Sequence, residues 1–312
     1  MAAEKPQLKF NTMTYNERHF SQELNLQLSH KLDSLIVWQN HALDFQIKYL
    51  VAVNGQTQLT NCSAFIQLLA KTRFNLDAAN NLLRLLYDDY RFKTSVNVIY
   101  RAIVDDIINS YYLFGTVALA DPEQHALGNE LTIFHKEFIL SSIKGINSER
   151  EFEKYIDELN EVESSPDIDV EDEFKRANAD LFTAAGAWKK NSEIRANTSP
   201  YFIDLFNQTD GNGKGFISEA KKLEFIKARG VVTHSNIAAM FKYLSQFQHF
   251  SPKSHELLNS HIEYDIVIYQ RCLGELVMLL DQLFQVLELQ DKAELQSEWK
   301  ALAPLIFNSF NE

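Results

Sequence analysis

Apolar residues recur three and four positions apart along most of this chain, the period of a helix that buries one face, and alternating strand-like runs are scarce. A first amphipathic segment is expected from about Glu17 to Val53, with Phe20, Leu24, Leu28, Leu32, Leu35, Trp38, Leu43, Ile47 and Leu50 near one stripe and Asn54-Gly55 as its stop. A second begins near Thr60 and carries Phe65, Leu68, Leu69, Leu82, Leu83, Leu86 and Tyr87, with a break expected around Arg73 to Leu76. The third, from about Thr94 to Leu119, is the most apolar. Asp121-Pro122 reads as a helix start, aspartate as cap and proline in the first turn, for a helix reaching about Ile143. Ser148 followed by Glu151 has capping-box spacing and predicts another start. A charged helix, a loop at Pro166 and a further helix reaching about Lys190 follow, then an irregular stretch from Asn191 to Gly215. Helix is expected again from about Ser218. Thr233 is placed to cap a helix ending near Gln248, and Ser251-Pro252 to open a long final segment, with a short helix after Asp291.

Ten glycines and six prolines in 312 residues agree with that pattern: helix breakers are few. No fixed-period repeat is present, which disfavours a solenoid. The expected fold class is all-α, a helical bundle with an inserted acidic and irregular middle section. Its expected divisions are an N-terminal tail (1–16), a first bundle part (17–147), the insertion (148–230) and a second bundle part (231–312).

The formal net charge is −12, with much of the acid between Glu149 and Glu173. That balance argues against a broad, sequence-independent grip on nucleic acid, which depends on neutralising phosphates, but leaves room for a small basic site. Cys62 and Cys272 form no CxxC pair and have no histidine at ligand spacing, so they are expected as small hydrophobes in a reducing compartment. No apolar run of signal-peptide or membrane-spanning length occurs in the sequence, and a cytoplasmic location is expected. Motifs of the form GxxxxGK[ST], GxGxxG, HExxH and GxSxG are absent, which sets aside several nucleotide-dependent and hydrolytic chemistries.

Three short stretches carry possible chemistry. Asp210 to Lys221, "DGNGKGFISEAK", looks like an EF-hand loop, yet Lys214 and Lys221 stand where the fifth and twelfth positions need oxygen ligands. A glycine-rich turn entering a helix is therefore expected, with no metal and no cofactor. In "YRAIVDD", Arg101 and Asp105 are four residues apart on an otherwise apolar helix, so they must pair with each other or with other polar groups. The alternatives are a structural ion pair and a polar pocket for a phosphate or base. In "KYLSQFQHFSP", Lys242, Ser245 and His249 fall on one side of a continuous helix. A cation, a hydroxyl and a histidine in one line suit acid-base chemistry on a phosphodiester, while a histidine that only caps the helix end would show the same pattern.

Taken together, "YRAIVDDIINSYYL" and "FKYLSQFQHFSP" are similar to a bacterial family of helical proteins related to the HEPN superfamily. Arg101 and Asp105 match the first element, with aspartate where glutamate is usual. Leu244, Ser245, His249, Ser251 and Pro252 match the second, and Lys242, with six residues between it and His249, stands where the superfamily has arginine. A lysine offers phosphate a point charge rather than a bidentate fork. The resemblance, over residues 20 to 145 and 230 to 290, implies a HEPN-like bundle that binds RNA or cleaves it as a metal-independent endoribonuclease in a toxin or antiphage-defence system, commonly as a homodimer. On that basis His249, Lys242 and Ser245 are the expected catalytic residues, and Arg101, Asp105 and Tyr243 the expected substrate-binding ones. The competing expectation is a non-catalytic helical scaffold or sensor that binds a protein partner encoded nearby, for which the acidic middle section is the natural surface.

Overall fold

The computed structural model describes residues 26–53, 62–88, 92–117, 125–162, 170–197, 217–248, 262–286 and 293–309. Ten α-helices occupy them: α1 (Leu26–Val53), α2 (Cys62–Leu85), α3 (Phe92–Val117), α4 (His125–Leu159), α5 (Val170–Ala177), α6 (Asn191–Ile194), α7 (Glu219–Ala228), α8 (His234–Ser245), α9 (Ile262–Val286) and α10 (Ala293–Ser309). Among the described residues no strand forms; Phe182 and Trp188 meet in one isolated antiparallel bridge. The protein is all-helical, and none of its described helices is long and apolar enough to cross a membrane.

Helix α3 is the axle of the bundle. It packs against α2, α4, α7, α8 and α9, and its buried residues lie on every side. The sequence dictates that position: Val96, Ile103, Val104, Ile107, Ile108 and Leu113 leave no polar face wide enough to meet water. The polar groups it carries into the core reach α2, α4 and α9. Lys93 meets Asp265 of α9 at 2.6 Å, and Asp106 receives Lys71 of α2 at 2.6 Å. Tyr112 donates to Glu130 of α4 at 2.6 Å, and Asn97 bonds Asp265 at 3.1 Å. A slip of α3 by one residue would strand several of these groups in an apolar interior, so they fix its register.

Several expected boundaries move. Helix α2 passes through Arg73 to Leu76 without a break, with Leu76 buried and Phe74 turned outward. Helix α4 does not end at Ile143 or restart at Ser148; it continues unbroken to Leu159. Ser148 can cap only if the residues before it leave the helix, and none of Lys144 to Asn147 does. The helix expected to reach Lys190 stops at Ala177, and a 3₁₀ turn at Ala179–Leu181 follows. In α1 the buried face after Leu35 runs through Gln39, Ala42, Gln46 and Tyr49, while Ile47 is exposed. Leu181 and Phe182 pack with Ile139 and Ile143 of α4, with Phe174 and Trp188 against them, forming a small second core. Asn54-Gly55, Asp121-Pro122 and Ser251-Pro252 lie outside the described residues.

Candidate functional site

Helix α8 carries the second sequence element, and its apolar residues Ile237, Met240 and Leu244 turn into the bundle. Met240 Sδ lies 3.4 Å from the buried Cys272 thiol of α9, a packing contact whose surroundings push the thiol well above its ordinary value. Thr233 occupies the N-cap position of α8 but its side chain makes no cap bond there. Its hydroxyl instead joins Glu275 and Tyr111, tying the start of α8 to α9 and α3.

The other end of α8 is held by two polar clamps. The first brings together residues 144 apart: Arg101 Nε donates to Ser245 Oγ at 2.7 Å. Ser245 Oγ in turn donates to the Phe241 carbonyl at 2.7 Å, one turn back. Arg101 Nη1 pairs with Asp105, and its guanidinium lies 3.7 Å from the centre of the Phe241 ring. With 6 % of its surface exposed, Arg101 is thus enclosed by a carboxylate, a hydroxyl and an aromatic face. The second clamp comes from α9. Tyr243 donates to Asp265 Oδ1 at 2.6 Å, and Asp265 is fully buried between Lys93 and Asn97. The Tyr243 ring meets Phe247 and Tyr264 edge to face.

These contacts sort the expected site residues by what they can do. Arg101, Asp105 and Ser245 converge, and Phe241, which sequence reasoning did not single out, completes their enclosure. Arg101 and Ser245 use their polar atoms on one another and on their neighbours, so they hold the end of α8 in place. Tyr243 holds it from the other side. Lys242 stands in the last turn of α8 and is exposed, where a cation also complements the negative end of the helix dipole. His249 lies outside the described residues, one position past Gln248.

A buried polar layer continues behind the first clamp. Burial raises the Asp105 carboxyl, the Arg101 bond and charge oppose the rise, and Glu219 and Lys222 of α7 also act on it. Lys222 donates to Asn109 Oδ1 at 2.8 Å and lies 4.7 Å from the Phe134 ring centre; burial lowers its ammonium. Glu137 accepts the Ile217 backbone N–H at 2.7 Å, and burial pushes its carboxyl up to about 7. Further along α4, Glu130 takes two bonds from Arg195, at 2.6 and 2.9 Å, with all but 1 % of Arg195 covered. Glu130 and Glu137 are seven residues apart on either side of Ile133, so two acids on a core-facing heptad were a usable signal. Arg195 sits in a polar, irregular stretch and offered none.

The EF-hand-like segment lies mostly outside the described residues. Within them, Ser218 caps α7 by accepting the Lys221 N–H, and the Lys221 ammonium turns to Glu224 at 2.8 Å. Among the described residues no three histidine, cysteine or acidic side chains are grouped to hold a metal ion. No protein-family model, curated protein sequence or solved structure matches the chain.

Proposed function

We propose that this chain is a HEPN-like protein that binds RNA at the C-terminal end of α8 and cleaves it without a metal, in a bacterial toxin or antiphage-defence setting. The observation that carries this is the 2.7 Å bond from Arg101 to Ser245, which joins the two sequence elements on which the resemblance rests. In this mechanism Arg101 and Ser245 are positioning residues. They fix the helix end from which Lys242 projects and after which the chain reaches His249. Lys242 holds a phosphate oxygen as a point charge. His249 takes the proton from a ribose 2′-hydroxyl as that oxygen attacks phosphorus. The bond to the 5′-oxygen breaks, and that oxygen takes a proton from water while His249 returns its own to solvent, giving a 2′,3′-cyclic phosphate and a 5′-hydroxyl end.

Incubating the full chain with tRNA and total RNA in EDTA tests the proposal. Wild type is expected to leave cyclic-phosphate ends, and His249→Ala to lose about 100-fold or more of the rate, the usual share of one acid-base group. Equal cleavage by both proteins, or cleavage by neither, overturns the nuclease assignment.

A further inference from the structure

The distal half of α4 carries an exposed apolar stripe. Ile143 is the last buried residue of the helix, and from Lys144 to Leu159 every residue is exposed or only partly covered. At 1.5 Å per residue that is about 24 Å of helix. Its apolar residues are nevertheless arranged for packing: Phe152, Tyr155, Ile156 and Leu159 recur at three and four, and Val162 follows in the turn beyond. Phe152 and Leu159 are each 62 % exposed. Towards the bundle the same stripe runs over Ser148 and Gly145, where an added Cβ would meet nothing within 4 Å, to the exposed Phe138.

Charge decides what can lie there. At 100° per residue, Glu149 and Glu153 flank the stripe on one side and Glu151 and Glu158 on the other. Arg150 and Lys154 fall on the opposite side of the helix, and Lys144, at the near end, is the one cation beside the stripe between residues 144 and 162. Two copies packed stripe against stripe would set carboxylate against carboxylate along both edges, which is unfavourable. A helix with lysines or arginines flanking its own apolar stripe matches both the surface and its edges.

We infer that the distal half of α4 is a docking surface for a basic amphipathic helix of a partner protein. The surface is separate from the α8 site and does not depend on it. The test is selection from a displayed library of helical peptides with randomised stripe and flank positions, against the immobilised full chain and against a Phe152→Ser, Leu159→Ser variant. Both substituted side chains are largely exposed, so the variant is expected to keep the wild-type melting temperature, which circular dichroism checks.

Enrichment of peptides with apolar residues at three and four and with Lys or Arg on the flanks supports the inference, provided that their affinity falls at least roughly tenfold on the variant and weakens with salt. Enrichment without basic flanks, equal binding to the variant, or no enrichment overturns it. So does concentration-dependent self-association in sedimentation that the same two substitutions abolish, because the occupant would then be a second copy.

Discussion

Glu137 shows how a single buried acid ties stability to pH. Its carboxyl is pushed up to about 7 chiefly by burial, against the opposing pull of the Ile217 N–H and of Lys222 and Lys136, with Glu130 adding to the rise. The folded chain therefore keeps this proton where the unfolded chain has released it. The associated stability is fully present below the ordinary glutamate range and declines as pH rises, and it is lost once pH passes about 7. Glu137→Gln is expected to flatten the fall in melting temperature between about pH 4.5 and 7, because glutamine cannot titrate. An unchanged slope in the variant would mean that other groups carry the dependence. At this scale the Arg101–Asp105 pair was legible, since two opposite charges four apart on an apolar helix have to find each other. That Ser245 and Phe241 would close around Arg101 was not, because no local pattern links positions 144 apart.

At the scale of elements, α3 and α7 come close together at a glycine. A Cβ at Gly115 would come within 2.6 Å of the Phe225 ring, itself fully buried and packed against Tyr112. Gly115→Ala would gain about 1 kcal/mol of helix propensity at an unconstrained site. Here the overpacked ring is expected to dominate, with a net loss of about 1–2 kcal/mol in chemical denaturation. A stabilised variant would show that α7 yields easily. Helix existence was well marked by apolar period, but helix ends were not. The break expected in α2 around Arg73 to Leu76 does not form, with Phe74 left exposed, and the restart expected in α4 from a cap-like Ser148 is overridden as the helix carries straight on. The exposed apolar stripe of distal α4 exists because of that continuation.

For the whole molecule, a net charge of −12 limits how RNA can be held. If binding rests on Lys242 and a few neighbours, the logarithm of affinity for single-stranded RNA should fall against the logarithm of salt with a slope of magnitude about 2 or less, and Lys242→Gln should remove about 0.7 of it. A much steeper slope would require a broad basic face elsewhere. The sequence alone determined that the chain is helical, that its third helix belongs in the interior and that Arg101 and Asp105 on it needed partners, because period and burial cost act locally. Tertiary structure alone decided which partners were found: Ser245 for Arg101, Asp265 for Tyr243, Arg195 for Glu130. The physical reason is that buried charges are satisfied by whatever packing brings near, and packing is a property of the assembled bundle rather than of any one stretch of chain.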